Sequence, residues 1–341
     1  MTLKNLNRLH EIQKTLRNET LLIEEPLHLF YLLGLDISAG MLLISSSKAQ
    51  LFVDGRYLQV CQKKSPIRTV LYSDEEFKKF GPSLYFDADH MTFARVEDLK
   101  KLGFTLMPKK DPLLPLMAVK EKGEIEKMRK SIALCRKGYK EIKKHLKVGI
   151  TEKELALLFS LFTLKHGAIL SFDAIIAFGE NAALPHHKPT TRRLKKGEGV
   201  LIDIGVNMNH YASDMTRTLF FGPPPSFLKE IYDVVEKANK SAIALCKKGE
   251  KIGNLDQAAR KVIAEHGFDE YFVHSLGHGI GLKTHEYPRL KSGGVNSEDL
   301  LQSGMVITIE PGIYLPQKGG VRIEDMVLIK DKSCEILTTG F

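Results

Sequence analysis

The sequence predicts a small α/β domain over residues 1–115, followed by an α+β body over residues 116–341 with a pseudo-twofold internal repeat. Three observations point there. The chain has 341 residues, long for a single hydrophobic core. Its composition shifts at PKKDPLLP, Pro108 to Pro115, a proline-punctuated stretch that reads as a linker. Beyond that stretch, similar residues recur at a spacing of 100 positions.

With 43% hydrophobic and 27% charged residues, the composition is that of an ordinary globular protein. The N-terminal MTLKNLNRLHEIQKTLRNET is charged throughout and has no signal-peptide apolar core. No apolar run approaches the roughly 20 residues of a membrane span. Cys61, Cys135, Cys246 and Cys334 stand apart without C-x-x-C spacing, which favours reduced thiols. The expectation is a cytoplasmic protein that does not enter a membrane. The net charge of +9 comes largely from scattered lysine pairs such as Lys63-Lys64 and Lys247-Lys248. Without an aromatic RNP-type run, a zinc finger or a long basic block, it reads as a solvated surface, with no nucleic-acid partner.

The first part alternates short strands with helical segments. MLLISSSKAQLFVDGRY, residues 41–57, reads as a hairpin, and a helix begins over Tyr57 to Lys63. After the linker, Ile125, Met128, Ile132 and Cys135 fall on one helical stripe. The repeat then aligns Lys140 with Lys240, Gly149 with Gly249, Leu155 with Leu255, His166 with His266, and Gly167 with Gly267. Each copy reads helix, glycine turn, helix, His-Gly stop, then strand.

Carboxylates stand inside the strands that follow. In VLIDIGVNMNHYASDMTRTLFF, residues 200–221, a two-residue loop at Met208-Asn209 would set Asp203 directly opposite Asp214. Side chains so placed lie about 5 Å apart at Cβ, and like charges there destabilise. The device recurs: LKKGEGVLIDIG (194–205) parallels LLQSGMVITIEPG (300–312), aligning Asp203 with Glu310, and the returning VRIEDMVLI carries Glu324. Packing the halves about a pseudo-twofold axis would bring four carboxylates to one point, which requires cations.

Between the hairpins, HSLGHGIGLKTHEYP supplies His278, with His274 four residues earlier. Its glycines permit close backbone approach to a ligand, while Gly277-x-Gly279-x-Gly281 lacks dinucleotide-loop spacing. One imidazole among four carboxylates suits Mn²⁺ and tolerates Zn²⁺, Co²⁺ or Fe²⁺. Two such ions roughly 3.5–4 Å apart can activate a shared water. Taken singly, each residue reads as an ordinary strand-end carboxylate or loop imidazole; the repetition sets them apart.

VLIDIGVNMNHYASDMTRT, HSLGHGIGLKTHEYP, VITIEPGIY and GVRIED resemble the sequence blocks of the metal-dependent pita-bread peptidases. That family includes Xaa-Pro aminopeptidase, prolidase and methionine aminopeptidase, with the metal-free creatinase. FGENAALPHHKPT resembles the block that carries a substrate-site histidine, and YLLGLDISAGMLLISSSKAQLFVDGRYLQV is similar to the small N-terminal domain of the Xaa-Pro aminopeptidase and prolidase branch. The resemblance covers nearly the whole chain. It implies a curved antiparallel sheet backed by helices with the metals on its concave face, a creatinase-type N-terminal domain on a mixed sheet, and a homodimer.

By matched position, the resemblance makes Asp203 a ligand of one metal, Asp214 and Glu324 bridges between two, and His278 and Glu310 ligands of the other. Glu310 doubles as proton shuttle, His186 contacts the substrate near the scissile bond, and His285 helps to stabilise the tetrahedral intermediate. His274 and Arg322 line the proline side. The choice of His186 over His187 rests on the LPH match alone, and Arg322 pairing with Asp325 at the surface is the ordinary alternative. Lys283 and Thr284 depart from the family pattern, which has an acidic and an apolar residue there. The implied activity is that of a Xaa-Pro aminopeptidase releasing the N-terminal residue from peptides with proline second. Prolidase activity on Xaa-Pro dipeptides is the near alternative, and a non-catalytic binding module the distant one.

Overall fold

A computed structural model of the chain describes residues 3–339. The chain divides into two compact units, Met1–Leu116 and Met117–Phe341. The first is built on a six-stranded mixed sheet in the order Thr69–Leu71, Ala49–Val53, Met41–Ile44, Leu21–Ile23, Ser83–Asp87, Thr105–Lys109. The expected hairpin is present as Met41–Ile44 paired antiparallel with Ala49–Val53, and the helix after it spans Leu58–Lys64. Leu22, Leu43, Phe52, Phe77, Leu84 and Leu99 form its core. PKKDPLLP is more ordered than a linker: Pro108 and Lys109 lie in the strand Thr105–Lys109, and a helix begins at Leu114. That strand is at the edge of the sheet, where a residue without an N–H is tolerated.

The second unit repeats itself as the sequence predicts. Helix Lys122–Lys143, Gly149 at φ 88°, helix Glu152–Lys165 and Gly167 at φ 71° form one copy. Helix Ser226–Ile243, Gly249 at φ 85°, helix Ile252–Glu265 and Gly267 at φ 77° form the other. The matched histidines act alike, His166 Nδ1 meeting Phe162 O at 2.8 Å and His266 Nδ1 meeting Val262 O at 2.7 Å. Each copy has its own core, one around Cys135, Phe159 and Ile202, the other around Val235, Leu255 and Ile307. Every strand pairing described in this unit is antiparallel. Among the described residues, no helix is long and apolar enough to cross a membrane.

One expectation fails in its register. The tight turn of the first hairpin is Asn209-His210, both at positive φ (54° and 68°), and not Met208-Asn209. Two-residue hairpin loops of this kind need positive φ at both positions, which asparagine accepts readily. Asn207 therefore pairs with Ala212, and Asp203 pairs with Thr216 instead of Asp214. The slip is by two residues, so side-chain parity is kept and both aspartates stay on one face as diagonal neighbours. In the second hairpin Ile309 pairs with Asp325 and Gly312 with Arg322, a register that sets Glu310 across from Glu324.

The two helices of the first copy touch at Gly138, where a Cβ would lie 2.7 Å from Phe159 Cε2 and 3.0 Å from Phe162 Cδ1. Gly138→Ala gains about 1 kcal/mol of helix propensity, yet overpacking costs roughly 1–3 kcal/mol. Chemical denaturation should show net destabilisation that Phe159→Leu partly relieves. A neutral or stabilising Gly138→Ala would refute the tight packing.

Candidate metal centre

Four of the five expected ligands stand at or beside strand ends, and the fifth, His278, lies within a short strand. Asp203 precedes the last residue of Glu198–Ile204, and Asp214 immediately precedes Met215–Phe221. Glu310 follows Val306–Ile309, Glu324 stands between Gly319–Arg322 and Asp325–Ile329, and His278 is central in Gly277–Gly279. All five line one cleft of about 670 Å³. The glycines flanking His278 are a packing requirement. A Cβ on Gly277 would lie 2.1 Å from Thr308 O, and one on Gly279 2.0 Å from Tyr287 O.

His278 is oriented by its own backbone. Its Nδ1 lies 3.0 Å from Gly279 O, and a carbonyl only accepts, so Nδ1 carries the proton. Nε2 is thereby left as a lone pair, 3.4 Å from Glu310 Oε1 and 3.8 Å from Asp214 Oδ2. Ligand atoms of Asp214, His278 and Glu324 all lie within 4.8 Å of one another. Burial lowers the His278 pKa to about 4, so the imidazole is neutral.

The carboxylates strain against each other. Burial and then the charges of Glu324 and Asp203 push Asp214 well above the usual range. Glu324 rises likewise, through burial and then Glu310, and burial lifts Glu310 to about 8. Asp203 receives Arg322 Nη2 at 2.5 Å on Oδ2, while its buried Oδ1 has no hydrogen-bond partner.

Arg322 is held from within. Nε donates to Thr216 Oγ1 at 3.1 Å, and Nη1 donates to Tyr314 OH at 2.9 Å and Pro185 O at 3.3 Å. The Thr216 hydroxyl donates to Glu324 Oε2 at 2.8 Å. Tyr314 OH meets His274 Nε2 at 2.8 Å, while His274 Nδ1 meets Ser275 O at 2.8 Å. Since Ser275 O accepts, His274 Nε2 accepts in turn and Tyr314 donates to it. Burial and then Arg322 lower the His274 pKa to about 4, consistent with that neutral tautomer. The surface pairing of Arg322 with Asp325 is absent; Asp325 is taken by Arg217 at 2.6 Å. Arg322 and His274 do border the cleft, but their polar atoms are engaged with protein groups.

The adjacent histidines separate cleanly. His187 is buried with Nε2 2.8 Å from Glu152 Oε2, whereas His186 is exposed on the cleft. Glu152 also collects Phe178 N, Asn181 Nδ2, and the N–H and hydroxyl of Thr190, fixing the loop that carries His186. The His285 ring is 4.3 Å from that of His278, its pKa lowered by burial and then by His186. Its loop is tied down by the buried Lys120–Glu286 ion pair at 3.0 Å. The Lys283 backbone N–H donates to Glu286 Oε1 at 2.9 Å, and Thr284 Oγ1 donates to Ser171 O at 3.1 Å, so of the two departures from the family pattern the threonine side chain helps to hold this loop.

The sequence reading misses Thr216, Tyr314 and Glu152. For two of them a signal was present. Strand alternation puts Thr216 on the face of Asp214 and Tyr314 on that of Glu310. Glu152 carries no such signal, since it opens a helix remote in sequence from the loop it binds.

Residues 126–331 match the model of metallopeptidase family M24, and residues 5–129 that of the creatinase/prolidase N-terminal domain. The Xaa-Pro dipeptidase of Pyrococcus furiosus is 36% identical over 324 residues, 93% of this chain and 92% of that one. A solved Xaa-Pro dipeptidase from Bacillus anthracis has a TM-score of 0.93 at 31% identity, covering 99% of this chain and 98% of that one. The X-Pro aminopeptidase from Thermotoga maritima has a TM-score of 0.88 at 30% identity, with 97% and 98% covered. With the pita-bread body, the mixed-sheet N-terminal domain and the carboxylate–histidine cleft, these similarities establish that the chain belongs to metallopeptidase family M24, in its Xaa-Pro aminopeptidase and prolidase branch.

Proposed function

We propose that the chain is a Xaa-Pro aminopeptidase using two divalent ions, Mn²⁺ first and Zn²⁺ or Co²⁺ as alternatives. The fit to metal is carried by the donor set: an unpartnered buried oxygen on Asp203, a neutral imidazole presenting a lone pair, and carboxyl groups that cannot all ionise together without cations. Asp203, Asp214, His278, Glu310 and Glu324 would hold the ions. When bound, two such ions supply an acidified water and polarise the scissile carbonyl.

The side chains do the remainder. Glu310, beside His278 and facing the cleft, takes the proton of the attacking water and hands it to the departing imino nitrogen of proline. His285 and His186 donate hydrogen bonds to the carbonyl oxygen as negative charge grows on it. Tyr314, Thr216 and His274 act as positioning residues through Arg322, keeping Asp203 and Glu324 aimed at the ions. Phe172, Ala174, Ile175 and Pro185 give the cleft an apolar surface suited to the pyrrolidine ring.

The observation that favours an aminopeptidase is room. At about 670 Å³ the cleft lies within the range of pockets that take drug-sized ligands, which favours a substrate extending beyond the proline. A second reading, Xaa-Pro dipeptidase, is favoured by Arg289. It pairs with His278 across neighbouring strands, is exposed and lines the cleft, where it could meet a free C-terminal carboxylate.

Chelator-stripped protein assayed on Ala-Pro, Ala-Pro-Ala and Ala-Ala-Ala, with and without Mn²⁺, decides between them. Metal-restored release of alanine from Ala-Pro-Ala but not Ala-Ala-Ala is expected. Cleavage of Ala-Pro alone transfers the assignment to dipeptidase, and no metal-dependent cleavage by folded protein refutes both. Glu310→Gln should lower kcat by about 10²–10⁴-fold. Arg289→Ala should raise KM for Ala-Pro by roughly tenfold, about 1.4 kcal/mol, only if the dipeptidase reading holds.

Stability should also report on the site. A carboxyl raised in the folded state stabilises below its unfolded pKa, and that stability is lost as pH climbs to the folded value. For Glu310 this window runs from 4.5 to about 8. His274 and His278, lowered from 6.5 to about 4, act in the opposite sense and only below 6.5. Metal-stripped protein should therefore lose stability between pH 6.5 and about 8. Glu310→Gln or added Mn²⁺ should reduce that loss; identical slopes in wild type and variant would count against the buried-carboxyl account.

A further inference from the structure

The N-terminal unit holds a second set of metal-type donors. His28 lies in helix Pro26–Leu33, Asp87 ends strand Ser83–Asp87, and His90 follows in the next turn. His90 Nδ1 is 2.8 Å from Asp87 Oδ2, and His28 Nδ1 is 3.3 Å from the same oxygen. The imidazole centroids are 4.7 Å apart. His28 is 2% exposed and Asp87 4%, yet His28 Nδ1 makes no hydrogen bond. A buried ring nitrogen left in this state is costly unless something else meets it.

We propose that His28, Asp87 and His90 bind a divalent ion of the zinc class, independently of the peptidase centre. Two imidazoles and a carboxylate are a donor set for such an ion, with water as fourth ligand. Ligands at about 2.0–2.2 Å in a tetrahedron stand roughly 3.3–3.6 Å from one another, and the donor atoms here already lie within 4.8 Å of each other. Asp87 is oriented by a hydrogen bond from Asp89 N to its Oδ1 at 3.1 Å, as supported ligands are. A cavity of about 160 Å³ opens on the triad, leaving space for the water. Arg95, which borders it, is neutralised by Glu24 at 2.7 Å. An ion here would tie together a helix, a strand end and a turn.

The test uses the full chain with the peptidase cage disabled by Asp214→Asn and Glu324→Gln, titrated with Zn²⁺ and with Co²⁺ by calorimetry and visible absorption. One ion per chain is expected, with the d–d bands of tetrahedral Co²⁺. Adding His90→Gln, or Asp87→Asn as an isosteric check, should weaken binding by at least roughly 10–100-fold, with circular dichroism showing the fold intact. Metal-saturated wild-type protein should likewise hold one more Zn²⁺ than its His90→Gln form. No ion in the cage-disabled chain, or affinity unchanged by His90→Gln, overturns the proposal and leaves the triad a hydrogen-bonded network.

Discussion

Mutual repulsion among four carboxylates, three buried and one half-buried, gathered in one cleft is the constraint that the catalytic unit is built around. Each of these groups would be expensive to bury alone, and their proximity adds to the cost. Arg322 offsets part of it. Its guanidinium meets Asp203 directly and reaches Glu324 through the Thr216 hydroxyl. Tyr314 then accepts from Arg322 Nη1 and donates to His274, whose tautomer is set by a backbone carbonyl. The orientation of every proton in this chain follows from the fixed donor at one end and the fixed acceptor at the other. That determinacy is what a preorganised ion site needs.

Much of this was legible in the sequence, for reasons that differ by residue. Helix–glycine–helix punctuation is local, so Gly149, Gly249, Gly167 and Gly267 marked the repeat before any packing was known. Asp203, Asp214, Glu310 and Glu324 stood out because charge inside apolar strands is unusual and occurs twice. The first hairpin's register was less accessible, since turn position depends on which residues accept positive φ, and Asn209-His210 competes with Met208-Asn209 on composition alone. A period-two pattern forgives that error, because a slip of two leaves each side chain on its proper face. Glu152 and the Lys120–Glu286 pair were hidden for another reason. Their partners lie tens of residues away, and only the fold brings them together.

The N-terminal triad illustrates the same limit more sharply. Nothing in the local sequence joins His28 to Asp87; the parallel pairing of Leu21–Ile23 with Ser83–Asp87 does. Sheet topology, and not motif spacing, assembles that cluster.

The pseudo-twofold repeat also explains why the peptidase site is asymmetric. In each hairpin three polar positions face the cleft. The first has Asp203, Asp214 and Thr216; the second has Glu310, Arg322 and Glu324. Aligning the two registers relates Thr216 to Glu324, and those two residues touch at 2.8 Å. It also relates Arg217 to Asp325, an ion pair at 2.6 Å. The axis therefore passes between these strands, and the duplicated scaffold meets itself there. Strict symmetry would make like residues meet across the axis, and a charged pair of that kind would repel. Divergence to hydroxyl against carboxylate, and to arginine against aspartate, removes that conflict. The same divergence replaces the counterpart of Asp214 with Arg322, so the fully ionised site carries four negative charges and one positive. The two divalent ions proposed above would exceed that net charge of three by one. Such a surplus would favour the oxyanion that develops on a scissile peptide carbonyl, so the departure from symmetry that relieves repulsion at the axis would also suit the cleft to amide hydrolysis.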